Sequence, residues 1–455
     1  MLFYSFGYKY NIEEKKTVRT GAIIIKTYPE KVDIYKNDLL YKNNRTIVNL
    51  FSDFIKIDNL KIGKYNIKAK KEGYFSWEKN INVRGGTVTE LKNIVLLKKN
   101  YNKNIILSKI GISLNENNVW TNNNKNKIAY KKENGEKLSL NIFSFNKNEE
   151  KIVVDLNKVP FSRIQKGYSL DNVIFSEDDT KIILKIVTTT KTIWYLVDME
   201  NKNRIYDLTA ILKENEEIKN RWNFSFGKSL FYTKNNILYK FDYSNIFSEK
   251  LLEDVNSFLI QNDHIYFLNS NDNKLRYSDI NNLSDIKNVT VMPEDFNFKL
   301  LSKIIRNDTN HYLILSSSGK LYFINNRNKV SLINSSVKKA NFYYNDERII
   351  YSNDHEIWIY YIKEKISQPS KKEFTNELIT RFSGNISNVF LYKDEEHLFY
   401  KEGDVFKFSE IDDRDKRNIF EIMKIDNDNI FYLRDANSLY YIENNRLIQI
   451  DLEDE

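Results

Sequence analysis

Only four side chains in the 455-residue chain could work as an imidazole ligand or base: His264, His311, His355 and His397. Three of them, His264, His311 and His397, fall at the same point of a repeating pattern, just ahead of a short apolar run. A metal centre would need its ligands within roughly 2 Å of one ion, and residues related by repetition lie a whole repeat apart. The histidines therefore read as surface turn residues. Two carboxylate clusters stand out next, Glu177-Asp178-Asp179 and Asp412-Asp413-Arg414-Asp415. A calcium loop alternates oxygen ligands and closes on a bidentate Glu. Neither cluster does so, and both read as solvated turns. Paired carboxylates for glycoside cleavage would have to converge from separate repeats, which leaves a glycan hydrolase or lyase as the alternative activity. The chain has no cysteine, which removes disulfides, thiolate metal sites and cysteine nucleophiles together. Gly-rich phosphate loops, a Gly-x-Ser-x-Gly elbow and His-Glu-x-x-His are absent from the sequence. No catalytic, cofactor or metal residue is assigned, no cofactor is expected, and the chain is expected not to be an enzyme.

The elements that would carry any site are strands. Tyr (30) and Phe (28) are abundant while Gly (13) and Pro (4) are scarce. Aromatic and β-branched richness favours strands, and the turns between them must be made by Asn and Asp, which tolerate left-handed backbone. A two-strand unit, plainest at Arg348-Ile349-Ile350-Tyr351 and Glu356-Ile357-Trp358-Ile359-Tyr360, recurs eight times. First strands start near Ile128, Ile182, Leu230, Ile265, Tyr312, Ile349, Leu398 and Ile430. The step averages about 43 residues, the length of a four-stranded propeller blade. A β-propeller over residues 118–453 follows, with eight blades, or seven because unit seven shows no clear fourth strand before Ile419–Ile425 begins unit eight. The insertion Leu208–Ile218 looks helical but is too short to compete with this count.

Residues 19–98 form a second, smaller all-β region. Gly63-Lys64-Tyr65-Asn66-Ile67-Lys68-Ala69-Lys70 alternates polar and apolar at period two, the mark of a half-buried antiparallel strand. Further strands are expected at Gly21–Thr27, Val32–Tyr35, Leu39–Tyr41, Phe54–Ile57, Phe75–Val83 and Val88–Leu97. Gly85-Gly86 reads as a hairpin turn. Gly63 and Gly73 read as turn glycines, and Tyr65, Tyr74 and Trp77 as packing aromatics, with a carbohydrate-stacking platform as the sharper alternative. The run Pro29-Glu30, Val32-x-Ile34-Tyr35, Leu60-x-x-Gly63-x-Tyr65-x-Ile67 and Lys71-x-Gly73-Tyr74 resembles a PEGA domain. The four-letter signature departs from the family, with Lys31 and Val32 where it has Gly and Ala. The resemblance implies a β-sandwich module of a bacterial or archaeal envelope, associated with surface layers and often beside a membrane anchor and a repeat domain. In the repeats, Phe175-Ser176-Glu177-Asp178-Asp179-Thr180-Lys181-Ile182 is similar to the WD40-like strand-turn motif of TolB-type propellers.

Charge is divided unevenly. Residues 1–100 hold 17 Lys and 3 Arg against 4 Asp and 6 Glu, whereas the rest of the chain is slightly acidic although the whole carries +8. That asymmetry suits an anionic surface, or a lysine-rich solvated sheet face. Lys dominates Arg there, which suits a point-charge contact with lipid head groups or wall polymers and not base reading of nucleic acid. In residues 1–18 the apolar Met1–Phe6 precedes Tyr8, Lys9, Tyr10 and a charged run, as where a chain leaves a bilayer. The expected layout is a juxtamembrane stub (1–18), a PEGA-like sandwich (19–98), a linker or closing strand (99–117) and the propeller (118–453). The expected protein is membrane-anchored on the extracytoplasmic face of the cell envelope and binds a protein or glycan at the propeller rim. A cytoplasmic scaffold is the other alternative.

Overall fold

The computed structural model describes residues 8–11, 16–41, 54–108, 110, 119–122, 125–134, 137–158, 169–187, 191–201, 204–211, 224–226, 229–243, 245–298, 300–343 and 347–453. The chain is all-β. Its one described helix, Leu208–Ile211, is a single turn, and the remainder of the stretch expected to look helical lies outside the described residues. Among the described residues no helix is long and apolar enough to cross a membrane.

The first and second strands expected of every repeat are present, but each pair sits inside a larger sheet. Seven sheets are four-stranded antiparallel meanders of consecutive strands, for example Ser169–Phe175, Lys181–Val187, Thr192–Asp198 and Arg204–Asp207. The expected first strand is therefore the second of its sheet. The preceding strands were missed because their apolar alternation is weak or short, as in Phe224–Phe226 and Lys339–Tyr343. A further four-stranded sheet has the order Asn104–Ser108, Arg446–Asp451, Ser438–Glu443, Ile430–Leu433. Ile419–Lys424 does not open a new repeat. It pairs with Val405–Glu410 as the fourth strand of the preceding sheet.

Asparagine and aspartate make the turns for the expected reason. Asn235-Asn236, Asn262-Asp263 and Asn444-Asn445 all have positive φ and each forms a two-residue hairpin loop. Two consecutive left-handed residues match the right-handed twist of the flanking strands.

The chain divides into two compact units. One spans Ile105–Phe342 with Ile442–Ile448. Within it, successive sheets stack face to face and share cores. Leu140, Val154 and Trp120 of one sheet pack with Val173, Leu184 and Val197 of the next, and Leu196 and Ile183 of that sheet pack with Leu230 and Phe241 of the third. No such sheet could bury both faces alone.

The other unit comprises Met1–Asn104, Tyr343–Tyr441 and Gln449–Glu455. Its N-terminal module has two sheets. Ile55–Leu60, Gly21–Tyr28 and Val88–Val95 form one, with Gly21–Tyr28 and Val88–Val95 parallel, and Leu39–Leu40, Asp33–Lys36, Gly63–Lys70 and Trp77–Val83 form the other. Ile23, Ile57 and Leu91 of the first meet Ile34, Ile67 and Trp77 of the second in one apolar core. The Gly85-Gly86 turn joins strands of different sheets and is a crossing between them, not a hairpin. Ahead of the module, Tyr8–Asn11 pairs with Lys16–Arg19. The apolar Met1–Phe6 lies outside the described residues. In the same unit, the sheets containing Arg348–Ser352 and His397–Glu402 share a core through Ile350, Ile359, Leu398 and Tyr400.

Candidate docking site of the N-terminal module

Two strands of the N-terminal module, Trp77–Val83 and Val88–Val95, are edge strands of their sheets. An open edge presents unpaired N–H and C=O groups that invite further pairing. Here both are sealed by side chains from residues 365–418 of the same compact unit.

Along Trp77–Val83 the inward row reads Trp77, Lys79, Ile81, Val83, so a lysine occupies a core position. Lys79 is fully buried, and its Nζ lies 3.0 Å from Glu410 Oε1 and 3.4 Å from Asp412 Oδ1 while donating to the Asp412 carbonyl at 2.6 Å. Trp77 Nε1 donates to Glu410 Oε2 at 2.9 Å. Glu410 also accepts the Asn418 backbone N–H at 2.5 Å and its side-chain Nδ2 at 2.7 Å. Four donors thus reach its two oxygens, as a buried carboxylate requires. At the edge itself, the Glu78 N–H donates to Asn418 Oδ1 at 3.4 Å and the Asn80 N–H to Asp415 Oδ2 at 3.0 Å. Phe75 stacks on Phe420 with centroids 5.2 Å apart.

The second edge is held by one side chain that copies a peptide group. Gln368 Oε1 accepts the Glu90 N–H and its Nε2 donates to the Val88 carbonyl, both at 3.0 Å. Gln368 stands at the tip of a hairpin closed by two backbone hydrogen bonds between Lys365 and Lys371, 2.9 and 3.0 Å. Both feet of that hairpin are pinned. Lys365 reaches Glu396 at 2.6 Å, and Lys371 bridges Glu377 at 2.9 Å and Asp413 at 2.8 Å. The cleft lined by Trp77, Leu91, Gln368, Pro369, Asp412 and Arg414 has room for about one water molecule, so this is a seam between packed parts and not a ligand pocket.

The electrostatics follow the geometry. Burial would raise Asp412, but Arg414 on both its oxygens and Lys79 beside it hold its pKa below the usual carboxylate range. Asp413 is likewise held low against burial by Lys371, and Asp415 by the Asn80 N–H. Asp412-Asp413-Arg414-Asp415 is therefore more than a solvated turn: Asp412 is half-buried, and the exposed Asp413 and Asp415 are held by Lys371 and the Asn80 N–H. It is the acidic half of the clamp, and its turn-like sequence hid that because its partners Lys79, Asn80 and Lys371 lie far away in the chain.

His397 is the second correction. It is not a surface turn residue: it is 2 % exposed, its ring stacks on Phe408 at 4.7 Å, and Nδ1 lies 2.7 Å from Asp394 Oδ2. Burial pulls its pKa down, yet Asp394, with Glu410 and Glu396 behind it, leaves the imidazole above its ordinary value. His264 and His311 are half-buried and His355 is exposed. Among the described residues no group of three or more potential ligands is placed to hold a metal.

The residues singled out in the module divide differently from expectation. Trp77, in the module core, also supplies the indole N–H of the clamp. Tyr65 and Tyr74 pack against the same core half-buried, and Lys71 lies over the Tyr74 ring at 4.9 Å. Pro29 and Glu30 form the bend after Gly21–Tyr28, where the exposed Glu30 offers its carbonyl to Lys71. Gly73 does need its left-handed backbone (φ +80°), whereas Gly63 begins a strand with open space around it and no positive φ. Lys79, Glu410 and Gln368 were missed. The signal was a lysine interrupting the row Trp77-x-x-x-Ile81-x-Val83.

No protein-family model matches the chain, and no curated protein is similar to it in sequence. Among solved structures, it is similar to Hsv2 of Kluyveromyces lactis, at 10% identity over 68% of this chain and 98% of that one, with a TM-score of 0.42. It is also similar to the Cps50 (Swd1) β-propeller domain of Myceliophteria thermophila, at 11% identity over 77% of this chain and all of that one, with a TM-score of 0.41. Neither likeness assigns an activity or a partner to this chain.

Proposed function

We propose that the chain is a non-catalytic binding scaffold of the cell envelope, in which the run of meander sheets closes as an eight-bladed WD40-like propeller and the basic N-terminal module is a PEGA-like sandwich. The observation that carries the reading is the succession of four-stranded sheets stacked face to face with shared cores. Such sheets present rims and connecting loops around a central channel. The partner is a protein engaging the propeller rim. The lysine surplus of residues 1–100 supports a module turned toward an anionic envelope surface, beside a membrane anchor. Three measurements test this. Electron microscopy of the isolated protein should show eight spokes, and seven would overturn the blade count. Fractionation of the source cells should leave the protein with membranes, and recovery with soluble cytoplasm would overturn the location. Cross-linking in intact cells should trap a protein at rim residues, whereas turnover or tight binding on a glycan panel would replace the protein partner.

A further inference from the structure

We propose that His397 and Lys79 compete for Glu410, so that protonation of His397 loosens the N-terminal module from the sheet it is clamped to. His397 and Glu410 are directly opposite on adjacent strands, His397–Glu402 and Val405–Glu410. Glu410 is also the carboxylate that takes Trp77 Nε1 and Lys79 Nζ from the module. Phe408 stacks on one face of the ring and Tyr392 stands edge-on to it, while charged groups approach from three elements. Its own turn and strand bring Asp394 and Glu396, and the adjacent strand brings Glu410. The module brings Lys79 onto Glu410, and the neighbouring sheet brings Arg348 and Lys365 onto Glu396 at 3.0 and 2.6 Å.

Asp394, Glu396 and Glu410 belong to the sheet whether or not the module is docked. Lys79 does not. When the module docks it adds a buried cation to the carboxylate that stands opposite His397 and favours its charged form, and like charges around one buried group oppose each other. Coupling of this kind is reciprocal: docking disfavours the imidazolium by as much as the imidazolium disfavours docking. Two opposite pH effects therefore meet at one residue. The sheet alone is favoured by the charged ring, because its folded pKa is raised, and that contribution fades as pH rises through the folded value. Module docking is favoured by the neutral ring and weakens as pH falls from the higher undocked pKa of the ring through its lower docked one. Asp412, Asp413 and Asp415 are held below the usual carboxylate range, outside that window.

The experiment is a titration of the full chain from about pH 9 down to about pH 5, following the His397 imidazole by NMR. Hydrogen-exchange protection of the Glu78 and Asn80 amides is measured alongside, corrected for intrinsic rate, with Glu356–Tyr361 amides as reference. Protection of Glu78 and Asn80 should fall about tenfold for each pK unit by which docking depresses the imidazole, and Glu356–Tyr361 should not follow. His397→Gln should remove that pH dependence. Lys79→Met, a separate arm that does not need the histidine variant to fold, should move the His397 midpoint to higher pH. Constant protection through the window, a pH dependence retained in His397→Gln, or a midpoint unmoved or lowered in Lys79→Met would overturn the proposal.

Discussion

Lys79→Met is the most direct test of whether the N-terminal module is clamped or merely tethered. Methionine keeps most of the length of the lysine stem and suits the row of Trp77, Ile81 and Val83, so packing is nearly conserved and the charge is what is lost. Removing one member of a buried ion pair costs about 3–5 kcal/mol, because the other is left uncompensated. Glu410 would keep three donors, from Trp77 and Asn418, and Asp412 would keep Arg414. The loss should therefore lie at the lower end, about 3 kcal/mol, or roughly a hundredfold in the docking equilibrium. A chain of several stacked sheets does not unfold in two states, so the assay is local: exchange of the Glu78 and Asn80 amides at neutral pH against those of Glu356–Tyr361. Adding Glu410→Gln to Lys79→Met should restore at least about 1 kcal/mol, since the orphaned charge is then gone. A loss below about 1 kcal/mol would place Lys79–Glu410 with exposed ion pairs and refute the clamp. So would an equal rise in exchange across Glu356–Tyr361, which would mean general destabilisation.

Gln368→Ala removes both hydrogen bonds that seal the Val88–Val95 edge and should cost about 1–2 kcal/mol, read as faster exchange at the Glu90 amide. Acidification should release the module by a route separate from His397. Asp412, Asp413 and Asp415 have lowered pKa values, so their contribution is present above about pH 4 and lost as pH falls through the folded values; loss of Glu78 protection there should be blunted in Asp415→Asn, and an unchanged curve would contradict the assignment. Gly73→Ala should destabilise the module by about 1 kcal/mol because φ is +80°. Gly63→Ala should be neutral or slightly stabilising, since an added Cβ meets nothing within 4 Å. Thermal melts of the two variants distinguish them.

The repeats were legible because the second strand of each meander sheet is buried on both faces, and in some sheets the third is as well. Ile182–Leu184 and Tyr195–Val197, for instance, are unbroken buried runs that register as β-branched and aromatic clusters whatever the turns do. The outer and leading strands were not, because a half-exposed strand such as Phe247–Leu252 or Asn282–Val291 mixes polar and apolar residues almost freely. Ile419–Lys424 shows the cost: its alternation is sound, but nothing local says which neighbour it pairs with. The clamp was illegible for the same reason in sharper form. Trp77 and Lys79 lie 333 positions from Glu410 and Asp412, and a charged turn has the same local sequence whether its carboxylates face water or a buried lysine. His397 was misplaced because its position just ahead of a strand matches His264 and His311, and only the third dimension puts Phe408 beneath it.

The clamp changes what the module's surplus of lysine can do. Lys79 is buried against Glu410, Lys64 lies 4.0 Å from Asp415, Lys68 is taken by Asp38 and Glu78, and Lys56 and Lys92 face Asp58 and Glu90. An anionic surface would therefore meet a face whose charge is already partly neutralised, and binding should be weaker and fall less steeply with salt than the full lysine count implies. The edges matter as much as the charge. With Trp77–Val83 held by Asn418 and Asp415, and Val88–Val95 by Gln368, the long strand left at an edge of the module among the described residues is Ile55–Leu60. Any partner that joins this module by strand addition has to use that edge or first displace the clamp, so substituting Lys79 or Gln368 should open new pairing surface and raise the tendency of the chain to associate, measurable as a concentration-dependent shift in sedimentation. A variant that lost the clamp and stayed monodisperse would show that the sealed edges do not guard against pairing.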